Sequence, residues 1–381
     1  MRRVFLFGTL LGLGAFPGFA AGAGEAPKPP EPPKIVAPSA DEVKAELAKE
    51  TAEQKALRAE LEALAKAGQK IYFNANLGEG GRNEIFVIGP DGSGYKQLTK
   101  DGGSDPHTPA DGSLVAYTGG KIALADPMPE ALKGIPFDPK FPPIKWGDQK
   151  FNRLKGAPVS WTMKPDGSDQ KPVAFGMMPH FSPDGKFLAY CIWNHPFPCQ
   201  VAVMNLEKKT EAFLIHPGLR NGGNPAWSPD GNYLVGAQGG AHFIKLNAER
   251  NGVEKVTVID NGHPCNNEIS FDGKYWTYVV DTHGCLGSWL CYKQLDYDKQ
   301  SASGGGNLPL GWKPGSVNYY PAFSPDGKYY VYAHAEQEAG VKSWEVKYKQ
   351  ELYVTRFPDC KATVRVTWNG AGNMHPCWSA K

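Results

Sequence analysis

From residue 70 onward the apolar residues come in short runs separated by turn formers. Phe187-Leu188-Ala189-Tyr190 and Tyr329-Tyr330-Val331-Tyr332 each follow a Pro-Asp-Gly. Gln200-Val201-Ala202-Val203-Met204 comes next after the first of these, and Ala212-Phe213-Leu214-Ile215 after that. Short runs rich in aromatic and β-branched residues, bounded by Gly, Pro and Asp, predict strands. Pro presets φ and Gly accepts a positive φ, so Pro-Asp-Gly predicts a tight turn after the first strand of each unit. Each unit therefore reads as a four-stranded meander.

The unit recurs along the chain. Asp105-Pro106-His107-Thr108-Pro109-Ala110-Asp111-Gly112 comes first, and Met178-Pro179-His180-Phe181-Ser182-Pro183-Asp184-Gly185 second. Asn224-Pro225-Ala226-Trp227-Ser228-Pro229-Asp230-Gly231 is third. Asn266-Asn267-Glu268-Ile269-Ser270-Phe271-Asp272-Gly273 is a degenerate fourth. Tyr320-Pro321-Ala322-Phe323-Ser324-Pro325-Asp326-Gly327 is fifth, and His375-Pro376-Cys377-Trp378-Ser379 is a sixth that ends with the chain. The turns at Asp184, Asp230, Asp272 and Asp326 follow one another at 46, 42 and 54 residues. Such spacings suit propeller blades. The longer interval from Asp111 to Asp184 holds a Pro-rich insertion at 126–157.

This repeat resembles that of TolB-type propellers, in which Pro-x-Trp/Phe-Ser-Pro-Asp-Gly leads into an Ile/Leu-Ala-Phe/Tyr strand. The resemblance covers residues 69–381 and implies an all-β, six-bladed β-propeller with four-stranded blades. The last motif stops after an inner strand, while Lys70-Ile71-Tyr72-Phe73 and Glu84-Ile85-Phe86-Val87 lack one. The two fragments are expected to complete one blade, closing the ring and removing its free edges. The resemblance is specific for fold and not for function, because such propellers serve many roles.

Upstream, Val43, Leu47, Leu57, Leu61 and Leu64 fall near one face of a charged segment, which predicts one amphipathic helix within 39–68. Ser39 and Glu42 form a capping box at its start, and Gly68 ends it. The helix is expected to pack on the domain edge, with a partner-binding arm as the alternative. Residues 24–38 carry six prolines and read as an extended linker. Residues 1–23 read as a signal peptide. Arg2 and Arg3 precede an apolar stretch from Val4 to Phe19, and cleavage is expected after Ala21 or Ala23. The expected location is therefore the periplasm or the exterior.

Composition narrows the functional classes. Net charge is +2, from 41 basic and 39 acidic residues without a basic run, so nucleic acid is not an expected partner. No stretch after the leader could span a bilayer. Export permits disulfides among the seven Cys, and an odd count leaves one over. Cys191–Cys199 is the expected bridge, flanking one short loop. Cys265–Cys285 is preferred over Cys285–Cys291, since Cys291 lies within a strand.

In such blades the Pro-Asp-Gly turns lie on one face. The loops that lead into inner strands, and those joining second to third strands, lie on the other, here called the top. All nine His assign to the top half. Residues leading into the inner strands must ring the channel mouth, and six equivalent positions carry mixed chemistry. Asp105, Asn224, Asn266, Glu268, Tyr320 and His375 are the expected binding residues, walled by the insertion and by a loop at 335–349. The favoured reading is a binding or scaffold module in the cell envelope for a protein or peptide. The alternative is a metal-dependent carbohydrate-active enzyme using His107, His180, His263 and His375. That reading resembles oligogalacturonate lyases on residue type alone. No cofactor is firmly implied, and a divalent Zn, Mn or Ca ion is the alternative. Gly-x-Ser-x-Gly and Gly-Lys-Ser/Thr motifs are absent, which speaks against serine-hydrolase and nucleotide-binding chemistry.

Overall fold

Two helices stand where the sequence predicts one. In a computed structural model, α1 spans Ala40–Ala48 and α2 spans Ala52–Lys66. Thr51 makes the break. Its hydroxyl accepts from the Gln54 N–H, and the Gln54 side chain accepts from the Thr51 N–H. This second capping box starts a new helix regardless of the apolar stripe running past it. The structure describes residues 39–381 except 77–81, 120–134, 136–143, 147–148, 152–157, 193–199, 215, 217–218, 220–222, 238–239, 263, 282–287, 311–315 and 337–349. The signal peptide and linker therefore lie outside the described residues.

The first strands are β1 (Lys70–Ala75), β2 (Glu84–Ile88) and β3 (Lys96–Gln97). The second blade is β4 (Gly103–His107), β5 (Val115–Gly119), β8 (Val159–Met163) and β9 (Lys171–Phe175). Between β5 and β8 the insertion carries a hairpin, β6 (Ile144–Trp146) and β7 (Gln149–Phe151). The third blade is β10 (Met177–Phe181), β11 (Phe187–Ile192), β12 (Gln200–Asn205) and β13 (Thr210–Phe213). The fourth is β14 (Pro225–Trp227), β15 (Tyr233–Ala237), β16 (Ala241–Leu246) and β17 (Val253–Asp260). The fifth is β18 (Pro264–Ile269), β19 (Tyr275–Asp281), β20 (Ser288–Asp296) and β21 (Ser301–Asn307). The sixth is β22 (Ser316–Phe323), β23 (Tyr329–Glu336), β24 (Glu351–Arg356) and β25 (Thr363–Arg365). Then β26 (Met374–Ser379) pairs antiparallel with β1, in the sheet order β26-β1-β2-β3. Six four-stranded blades result, and the chain ends complete the first.

The Ser of the turn has a physical role in the three intact Ser-Pro-Asp-Gly copies and in the degenerate fourth. Ser182 donates to the Asp184 carboxylate at 2.6 Å and accepts from the Phe187 N–H at 3.0 Å. Ser270–Asp272–Tyr275 and Ser324–Asp326–Tyr329 repeat this with similar distances, and Ser228 bonds Asp230 and Tyr233 in the same way. All four serines are buried. A donor–acceptor pair inside the turn satisfies groups that the ladder leaves over.

Apolar residues collect at the seams between blades. Tyr72, Ile85, Val115 and Met163 join the first blade to the second, and Phe181, Tyr190 and Ala174 the second to the third. Leu57 and Leu61 of α2 enter the seam between the sixth blade and the first, with Ile71, Val354 and Trp378. Around them Gln54 donates to the Thr363 carbonyl, Arg58 to the Arg365 carbonyl, and Arg356 pairs with Glu60. The second helix thus covers β25, the outer strand of its blade, while α1 buries no residue.

One other expectation is corrected here, at the end of β23. Cys265 Sγ lies 3.9 Å from the Val279 carbonyl oxygen. Cys265 sits at the bulge of β18 beside Asn266, which donates to its sulfur. Cys285 lies outside the described residues. Cys191 is disulfide-bonded, and Cys199, its expected partner, lies outside them too. The loop placed at 335–349 begins later, because β23 continues to Glu336.

Candidate functional site

The residue leading into each inner strand has a left-handed backbone. φ is +52° at Asp105, +54° at Met178, +53° at Asn224, +47° at Asn266, +56° at Tyr320 and +50° at His375. Asn and Asp tolerate this region, whereas Met, Tyr and His rarely adopt it. Five of the six also precede proline, which favours an extended residue before it. In five blades the inner-strand register shifts across this residue. The bulge re-aims one side chain per blade. The result is one cavity of about 60 Å³ lined by all six leading residues.

The structure brings Asp105, Asn224, Asn266, Glu268, Tyr320 and His375 around that cavity, with Met178, Asn267 and Cys377 beside them. His375 Nδ1 lies 2.8 Å from Asp105 Oδ1, and its ring lies over Tyr320 with centroids 3.6 Å apart. Burial pushes the Asp105 carboxyl up. The His375 charge outweighs it, with hydrogen bonds from His375, Ser104 and Thr118, and the carboxyl sits below its ordinary value. Thr118 also accepts from the Met178 N–H. With its amide oxygen facing donors, Asn224 accepts from the N–H groups of Asn266 and Asn267. Asn267 donates to the Asn224 carbonyl and accepts from the Trp276 indole. The mouth is thus a chain of polar contacts passed from blade to blade.

Two residues further along each inner strand comes a second ring, with His107, His180, Ala226, Glu268, Ala322 and Cys377 at the equivalent positions. His180 Nε2 lies 3.1 Å from Glu268 Oε2, and the His107 and His180 ring centroids are 3.4 Å apart. The Phe181 N–H donates to His107 Nδ1 at 3.1 Å. Burial, reinforced by the His180 charge, pushes His107 well below the ordinary imidazole value and keeps it neutral. Cys377 is buried, its thiol pushed up to about 12 by desolvation first and Glu268 second.

Below this ring the channel widens into a cavity of about 230 Å³ with walls that include Phe181, Trp227, Phe323 and Trp378. The sequence analysis did not anticipate it. Its signal was present in Phe181, Trp227, Phe323 and Trp378, each three places after a leading position, which reads equally well as seam packing.

Among the described residues, His107, His180 and His375 do not form one group. His375 belongs to the upper ring and engages Asp105, because it leads its strand while His107 and His180 lie two residues inside theirs. His263 lies outside the described residues. Among the described residues, His107, His180 and Glu268 form the group whose donor atoms all lie within 4.8 Å of one another. Two imidazoles and a carboxylate fit Zn²⁺ or Mn²⁺ better than Ca²⁺, which takes oxygen ligands.

Solved propellers show the same architecture. TolB from Acinetobacter baumannii aligns with a TM-score of 0.55 at 16% identity, covering 81% of this chain and 66% of that one. The putative TolB from Agrobacterium tumefaciens aligns with a TM-score of 0.49 at 11% identity, covering 82% and 92%. This chain therefore spans about two thirds of the first protein's length. No family model and no curated protein matches the sequence. At such identities the likeness is one of fold, and the fold is that of the TolB-like six-bladed propellers.

Proposed function

We propose that this TolB-like propeller is an exported binding module that receives a protein or peptide segment at its top-face channel mouth. The observation that carries this reading is the ring of six left-handed leading residues. Backbone strain of this kind costs on the order of 1–3 kcal/mol per residue. Met, Tyr and His occupy three of these positions, where Gly would sit without strain. The side chains gain in exchange a shared polar rim around one cavity, with amide, carboxylate, phenol and imidazole groups suited to an extended backbone and its side chains. The leader at 1–23 supports export, and no helix among the described residues is long and apolar enough to cross a membrane.

A photoreactive amino acid placed at Tyr320 tests the reading against the same group placed at Asp326, in the turn on the opposite face. Crosslinked adducts formed in the native compartment at position 320 and not at 326 are the expected outcome. The Asp105→Asn, His375→Ala double variant, with that probe at position 320, loses the adduct while keeping the fold. Equal labelling at both positions sinks the reading.

A further inference from the structure

The second ring carries chemistry that a peptide-binding mouth does not need. Its equivalent positions in the fourth and sixth blades are Ala226 and Ala322, so the fold itself does not demand a polar side chain there. In the second, third and fifth blades the same position supplies His107, His180 and Glu268. Three blades far apart in sequence thus deliver three donors to one point on the axis. The cavities above and below both reach the three donors.

We propose that His107, His180 and Glu268 bind one first-row divalent cation, Zn²⁺ in the first place, at the waist of the channel. His180 Nε2 and Glu268 Oε2, 3.1 Å apart, already stand at the separation expected of two ligands sharing an ion at about 2.0–2.2 Å from each. The ion takes the place of the proton between them. The lone pair of His107 that now accepts from Phe181 fixes its tautomer, leaving the proton on Nε2. Ligation through Nε2 moves that proton to Nδ1 and ends the Phe181 contact. Loading therefore leaves a mark on a backbone amide that is not itself a ligand. The three donors also line the cavity of the mouth, so the test below uses the chain with no peptide present.

The test uses the full chain, dialysed against a chelator and titrated with Zn²⁺, Mn²⁺ or Ca²⁺ by calorimetry, with metal analysis after gel filtration. One Zn²⁺ per chain is expected, with no Ca²⁺ taken up. His107→Gln, His180→Gln and Glu268→Gln are each expected to weaken Zn²⁺ binding at least about ten-fold, the scale seen even for supporting residues around metal sites. His375→Ala is expected to retain the ion. Loading also shifts the Phe181 amide resonance. Failure of the wild type to take up Zn²⁺, or full uptake by the Gln variants, overturns the proposal. If a Gln variant does not fold, the wild type decides: an unmoved Phe181 amide on Zn²⁺ addition overturns it equally.

Discussion

Met178 shows at one residue how the mouth is made. With φ at +54° before a proline, it holds a conformation that costs a β-branched side chain most and glycine least. Met178→Gly is therefore expected to leave stability unchanged or raise it slightly, and Met178→Val to lower it by about 1–3 kcal/mol. Urea denaturation of the two variants checks this, and a Val variant as stable as the parent refutes the strain reading. Asn224 and Asn266 were legible as polar mouth residues because they occupy the same place in a repeat. Their left-handed backbone was not, since a sequence shows residue type and not φ.

At the scale of the element, the Ser-Pro-Asp-Gly turn is a small hydrogen-bonded unit whose failure is measurable. Ser182→Ala leaves the Phe187 N–H without its partner in a buried place, and a loss of about 1–3 kcal/mol is expected. Desolvation pushes the Asp184, Asp230 and Asp272 carboxyls up. Hydrogen bonds from Ser182, Ser228 and Ser270 and from backbone amides outweigh it and hold all three below the ordinary aspartate value of 3.8. The unfolded chain then takes up these protons at higher pH than the folded one. The stability they add is present above 3.8 and is lost as pH falls through the lowered folded values. An Asp184→Asn, Asp230→Asn, Asp272→Asn triple variant is expected to show a flatter acid limb in a series of thermal melts below pH 4.5. The helices teach a related point. The apolar stripe marked the helical segment, but Thr51 and Gln54 divided it, because capping is a local contact that hydrophobic periodicity does not register.

For the whole molecule, closure rests on β26. Trp378 is about 1% exposed, sits in the seam joined by α2, and donates its indole N–H to Gln69. Trp378→Ala is expected to cost about 3–5 kcal/mol, and Leu57→Ala or Leu61→Ala about 2–5 kcal/mol each, all three acting on one seam. Because that seam is shared, the Trp378 and Leu61 losses are expected to be non-additive in a double-mutant cycle of denaturant midpoints. Strict additivity would show α2 to be a separate unit resting on the ring.

The sequence by itself determined the blade count, the strand order within each blade and the closing of the ring. Those follow from local patterns: short apolar runs, Pro-Asp-Gly turns, and complementary half-blades at the two ends. It also determined which residues lead into the inner strands, because a repeat puts equivalent residues at equivalent places. Tertiary structure alone decided which of them meet. His375 goes to Asp105 and Tyr320, whereas His107 and His180 go to Glu268, although all three histidines look alike in the sequence. A difference of two residues along an inner strand is a step of about 7 Å down the channel axis. That step separates a polar mouth from the proposed ligand set, and only the closed ring, which turns six strand positions into layers around one axis, makes it visible.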